Sequence, residues 1–145
     1  MIIPGSNQSY MDEMIRMQNK YHPDCLFRRK EYSMVPEFDC AGHLHLRVIC
    51  NKKFQSYNGI VHGGVLSALF DHSMMLCLFG HGFYGYTVRL NIKYSDKVKI
   101  NSEFTVSAKI VKMRQNTAVE LTGAIVQNAG KRAGAEAVFW LENKK

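Results

Sequence analysis

The stretch from Val65 to Phe79 constrains the fold more than any other part of the chain. Val65, Leu66, Leu69, Phe70, Met74, Met75, Leu76, Leu78 and Phe79 are all large and apolar. Gly63-Gly64 opens the segment, and Gly80 and Gly82 close it, so it reads as a helix from Gly63 to about Phe79. Apolar side chains leave such a helix on nearly all sides, and it must be wrapped by other structure. It is short for a membrane span, and Asp71, His72 and Ser73 interrupt it.

The wrapping is expected from strands. Tyr86 to Tyr94 alternates Val88, Leu90 and Ile92 against Thr87, Arg89, Asn91 and Lys93. Three more candidates follow at 104–113, 117–127 and 132–141. The turns between them, at Gln115-Asn116 and Asn128-Ala129-Gly130, are short, which predicts an antiparallel meander. Ahead of the apolar segment, Leu44, Leu46 and Val48 alternate with His43, His45 and Arg47 in a stretch, 26–50, that reads as extended. Lys52-Lys53 leads into a loop with the turn signal Asn58-Gly59. A short amphipathic helix is predicted from Asn7 to Tyr21, with Met11, Met14, Ile15 and Met17 near helical spacing and Ser6 or Asn7 as cap. The His22-Pro23-Asp24 step ends it. One buried helix enclosed by an antiparallel sheet is an α+β arrangement, and 145 residues make one domain of it.

Composition limits the partners. Lys plus Arg number 19 against 12 Asp plus Glu, a formal charge of +7, which favours nucleic acid, a membrane surface or a phosphorylated small molecule. Trp140 and the tyrosines do not interleave with basic residues as a stacking platform requires, so nucleic acid is not expected. Cys25, Cys40, Cys50 and Cys77 contain no CxxC pair, and Met1–Ser6 has neither a basic n-region nor a long apolar h-region. The expectation is a reduced, cytoplasmic protein. His43 and His45 lie near Cys40 and Cys50, but no further ligand stands at metal-binding spacing, and no metal or other cofactor is expected.

Asp71 is the residue at odds with its surroundings. A carboxylate amid Phe70, Met74 and Met75 is costly unless paired or hydrogen-bonded. A structural role, as a cap or an ion-pair partner, and a functional one both fit that position. The helix start tilts the balance: at His62-Gly63-Gly64 the first-turn N–H groups are free, glycine lets a ligand approach the main chain, and the helix dipole favours negative charge. Asp71 follows His62 by nine positions, too far along the helix to reach a carbonyl held at that same end. The pair therefore works best across two subunits, which predicts a dimer.

The run from Gln55 to Asp71, with His62-Gly63-Gly64 inside it, resembles the core motif of the hotdog-fold acyl-CoA thioesterases. It is most similar to the PaaI-like, phenylacetyl-CoA thioesterase-related group. Tyr86–Tyr94 is similar to that family's next strand, and the likeness extends over about 35–141. The resemblance implies a hotdog fold, a long central helix wrapped by an antiparallel sheet, assembled as a homodimer or homotetramer. It implies hydrolysis of a small or medium acyl-CoA or aryl-CoA to the free acid and coenzyme A. Asp71 would be general base or nucleophile, Gly63 or Gly64 would polarise the thioester carbonyl, His62 would shape the loop or donate to the carbonyl or a positioned water, and Thr87 would stand near the carboxylate of the partner subunit. Gln55, Asn58, Arg89 and Lys93 are the substrate-binding candidates. The basic sector of Lys93, Lys97, Lys99, Lys109, Lys112 and Arg114 is either a solvated face or a seat for coenzyme A phosphates. Ser56 stands where many relatives carry Asn or Gln, and Arg28 where some carry the second Cys of a His-Pro-x-Cys-x-x-Cys element. The first departure keeps a second reading open, a non-catalytic acyl-CoA-binding sensor or scaffold.

Overall fold

Helix α2 runs from Gly63 to Gly80, and everything else is arranged around it. The computed structural model describes residues 7–28, 33–115 and 117–142. Helix α1 (Asn7–Tyr21) comes first, then strands β1 (Ser33–Phe38) and β2 (Leu44–Ile49), α2, and strands β3 (Gly85–Tyr94), β4 (Phe104–Arg114), β5 (Ala118–Gln127) and β6 (Gly130–Leu141). The strands form one antiparallel sheet in the order β1-β2-β4-β5-β6-β3. It curls round α2, and Leu44, Leu46, Phe104, Val106, Leu121, Ile125 and Phe139 point inward to form one core with Phe70, Met74 and Phe79.

By length and composition α2 would pass for a membrane span, but 67% of it is buried inside the protein. From His72 to Gly80 every residue is buried. Close packing explains two glycines: a Cβ on Gly123 would lie 2.6 Å from the Ser107 carbonyl oxygen, and one on Gly80 would lie 2.3 Å from the Phe38 ring. The wrapping is incomplete over the first half of the helix, where Gly63, Gly64, Ser67, Ala68 and Asp71 form a strip of small and polar residues that stays open or half-open.

The antiparallel meander stands as expected, and its β5–β6 turn is a two-residue hairpin with Asn128 at φ 52° and Ala129 at φ 60°. The turn before β5 includes Asn116, which lies outside the described residues, as do Ser6 and the opening segment. Elsewhere the expectations need correcting. The 26–50 stretch is not extended throughout, since Leu26–Arg28 forms a short 3-10 turn and Asp39 closes a turn through its carboxylate. Ile15 does not join the packed face of α1. That face is Tyr10, Met11, Met14, Met17 and Tyr21, and Ile15 remains 47% exposed. Val88 is not a core residue either. A bulge between Thr87 and Arg89 shifts the β3–β6 register and leaves Val88 56% exposed.

Candidate active site

The first turn of α2 has unusual hydrogen bonding. His62 is its N-cap, and the ring Nδ1 accepts from the Gly64 N–H at 2.9 Å. Serving as acceptor at Nδ1, the neutral ring carries its proton on Nε2. The N–H groups of Val65 and Leu66 go to the His62 carbonyl at 2.9 and 3.2 Å. The Gly63 carbonyl accepts from the Tyr94 hydroxyl at 2.9 Å and from Ser67 Oγ at 3.0 Å. The Gly63–Gly64 peptide is thus gripped at both ends, while the Gly63 N–H makes no hydrogen bond among the described residues. A Cβ on Gly63 would meet nothing nearer than a Tyr94 ring carbon at 3.9 Å, so no close packing against a Cβ requires glycine here. Of the two amides singled out from the sequence, the geometry leaves Gly63 free and occupies Gly64.

Asp71 lies eight residues along the helix, about 12 Å from Gly63 by helical rise. It is half-buried rather than enclosed, because it belongs to the open strip. Its Oδ1 accepts a hydrogen bond from Thr87 Oγ1 of the same chain, where the resemblance implies the carboxylate of a partner subunit. The β3 bulge makes this contact possible. Simple alternation would put Thr87 on the face shared by Arg89, Asn91 and Lys93. The register instead pairs Thr87 with the buried Phe139 and pairs Arg89 with Val138, so Thr87 turns towards the helix and Arg89 turns away.

Two histidines near Asp71 escaped the sequence reading. His72 is buried under the Phe27 ring, centroid to centroid 4.7 Å. Burial, with the charge of His22 adding to it, pushes His72 down to about 4 and keeps it neutral. His22 packs edge-on to Phe79 at 5.0 Å; burial lowers its pKa, and the Asp71 carboxylate opposes that shift. From the sequence, His72 interrupts an apolar run and His22 precedes a helix-ending proline, and neither feature reports the packing of α1 on α2. Burial pushes the Cys50 thiol to about 11 and Cys77 to about 12, which removes both as thiolate nucleophiles at neutral pH.

The remaining candidates fall into two places. Gln55 is half-buried, and its Oε1 accepts from the Gly59 N–H at 3.0 Å, bracing the loop that delivers His62. Asn58 and Ser56 are exposed on the same loop. Arg89 and Lys93 lie across the sheet on its outer face, away from Asp71, as their pairing with Val138 and Gly134 shows.

A family model described as the thioesterase superfamily matches residues 58–120, from the Asn58-Gly59 turn through α2, β3 and β4 into β5. No curated protein matches the chain. Among solved structures, the PaaI protein from the phenylacetic acid degradation operon of E. coli superposes with a TM-score of 0.79 at 12% identity, over 97% of this chain and 98% of that one. The smu.793 protein of Streptococcus mutans, solved bound to acetyl CoA, gives 0.73 at 22% identity, over 88% and 99%. A hypothetical thioesterase of Streptococcus pneumoniae, solved with coenzyme A, gives 0.70 at 21% identity, over 80% and 92%. That protein has also been solved with an aspartate, and separately a threonine, replaced by alanine at positions 16 residues apart. One further thioesterase superfamily structure is larger, and the chain spans 53% of its length at 23% identity. With its long helix wrapped by a six-stranded antiparallel sheet, the chain has the hotdog fold of these structures.

Proposed function

We propose that the protein is an acyl-CoA thioesterase whose active site is shared between two copies of the chain. The observation that carries this reading is the Thr87–Asp71 hydrogen bond, which links residues 16 apart in sequence and aims a half-open carboxylate at the uncovered strip of α2. The same separation between the same residue types was chosen for alanine replacement in the streptococcal thioesterase that binds coenzyme A.

Hydrolysis needs a donor for the carbonyl oxygen and a base for water. With Oδ1 held by Thr87, Asp71 has Oδ2 free to take a proton from water as the water oxygen attacks the thioester carbon. The Gly63 N–H, at the positive end of the helix dipole, stabilises the oxyanion that forms. Collapse of that intermediate expels the coenzyme A thiolate, which takes back the proton from Asp71. Direct attack by Asp71 on the carbonyl carbon is the other route open to the same carboxylate. His62 holds the first turn in shape and presents Nε2–H on the same side. The two ends stand about 12 Å apart within one helix, so one carbonyl meets both only when Gly63 of one copy faces Asp71 of another. The open strip on α2 and the exposed edge strand β3, with Tyr86, Val88 and Tyr94 uncovered, supply the surface for that pairing. We place the protein in the cytoplasm, where its free cysteines, two of them buried, would stay reduced.

Thiol release from a panel of acyl-CoAs tests the reading. The wild type should turn over at least one small or medium acyl-CoA or aryl-CoA, and Asp71→Ala should lose about 100-fold or more. Thr87→Ala should lose less, with Thr87→Ser restoring most of the rate. Full activity in a folded Asp71→Ala protein removes Asp71 from the mechanism. Saturable binding with no turnover by the wild type would instead identify an acyl-CoA-binding module.

A further inference from the structure

A large cleft lies away from Asp71. It lies on the outer face of the sheet, opposite α2, and encloses about 710 Å³, the size of a small-molecule site. Its floor is a single row of paired residues running across five strands: His45 on β2, Ser107 on β4, Ala124 on β5, Gly134 on β6 and Lys93 on β3. Small side chains at the three central positions leave a flat trough. His45 and Lys93 close its ends about 19 Å apart, four strand spacings. The next row, Lys109–Thr122–Glu136–Asn91, forms one wall, and Lys131 stands on the other side.

We propose that this cleft is a second site, which binds a nucleotide carrying phosphate. Lys93, Lys109 and Lys131 surround the trough and form no ion pair among the described residues, so their charge is available to an anion. His45 is committed to Asp39, its Nε2 2.9 Å from Oδ2, and adds shape rather than a free cation. A bare phosphate does not explain the rest. Glu136 lies between Thr122 and Asn91 and would repel an unaccompanied anion, whereas a carboxylate there accepts from ribose hydroxyls or a ring amino group. The flat Ala124–Gly134 floor suits a planar ring, and the hydroxyls of Ser107 and Thr122 stand beside it. Packing of this face on the same face of another copy would gather lysines of like charge, which charge complementarity disfavours.

The nucleotide has two possible sources, a free molecule or the nucleotide half of a coenzyme A thioester. Calorimetric titration of the wild-type protein with adenosine 3′,5′-bisphosphate, pyrophosphate and adenosine reads the site directly, without turnover, so it stands apart from thioester hydrolysis. The expected result is saturable binding of the bisphosphate, with adenosine and pyrophosphate each about tenfold weaker or more. Lys93→Glu should weaken binding about tenfold, and Gly134→Leu, which fills the floor, should do the same through shape. Circular dichroism checks that both variants fold, and Lys131→Glu replaces either one that does not. Competition between coenzyme A and the bisphosphate for one site would identify the thioester's own nucleotide half as occupant. Simultaneous binding would identify a free nucleotide. No saturable binding by the wild type, or binding that all of these variants leave unchanged, overturns the proposal. It is overturned too if the variants change only the sedimentation mass, which would make the face a contact between copies.

Discussion

The Tyr94 hydroxyl donates to the Gly63 carbonyl at 2.9 Å, joining the last residue of edge strand β3 to the first residue of α2. The Gly63–Gly64 peptide is held there at one end and by His62 at the other, so its plane is set before any ligand arrives. A donor fixed in advance has no reorganisation cost when charge develops on a carbonyl oxygen.

Tyr94→Phe removes that grip while keeping the ring. The hydroxyl is exposed and also meets Ser67 Oγ at 2.6 Å, so the stability loss should be about 1 kcal/mol or less. With an acyl-CoA substrate, kcat should fall several-fold and KM should change little, because the aim of the Gly63 amide matters most in the transition state. A KM effect with unchanged kcat would assign Tyr94 to substrate binding instead.

How far the sequence reports this arrangement depends on what kind of interaction sets each part. The bounds of α2 are legible because a run of apolar residues between glycines has one physical solution, a buried helix. Strand β2 is legible because Leu44, Leu46 and Val48 alternate without a break. Val88 misleads because a bulge is a register event: Thr87 and Arg89 change faces only relative to Phe139 and Val138, about fifty residues away. The influence of His22 on His72 is hidden for the same reason, since it arises where α1 lies on α2. Asp71 is visible as an anomaly, but its half-open position depends on which helix face the sheet leaves bare.

The β5–β6 hairpin contains a correctable strain. Ala129 sits at φ 60°, where an L side chain crowds its own backbone, and the neighbouring Asn128 tolerates φ 52° better. Ala129→Gly should stabilise the protein by about 0.5–1 kcal/mol and raise Tm by about 2 °C, with activity unchanged. An unchanged or lower Tm in a thermal melt would mean that this turn carries no strain to relieve.

Stability should depend on pH through His72. Folding lowers its pKa from the ordinary 6.5 to about 4, so on acidification the unfolded chain takes up the proton first. This contribution is therefore complete above about pH 6.5, declines as pH falls towards 4, and levels off once both states are protonated. For one buried ring the loss is of order 3 kcal/mol. The lowered pKa of His22 acts in the same direction. His72→Phe, which keeps a ring against Phe27, should flatten the fall in urea midpoint between pH 7 and pH 4.5. A variant whose midpoint falls as steeply as the wild type would place the acid sensitivity elsewhere.

The strongest consequence of the 12 Å gap between Gly63 and Asp71 is that two inactive chains should make an active pair. Gly63→Pro deletes the free amide, and proline is tolerated at the first position of a helix because the missing N–H had no helical partner. Asp71→Ala deletes the carboxylate. Each variant alone should be nearly inactive. After unfolding and refolding in equal mixture, half of the dimers hold one chain of each kind. One of their two sites then combines the Gly63 of the Asp71→Ala chain with the Asp71 of the Gly63→Pro chain. Thiol release should recover to about a quarter of the wild-type rate. A site contained within a single chain would recover nothing on mixing, and that outcome would remove the shared active site while leaving the fold untouched.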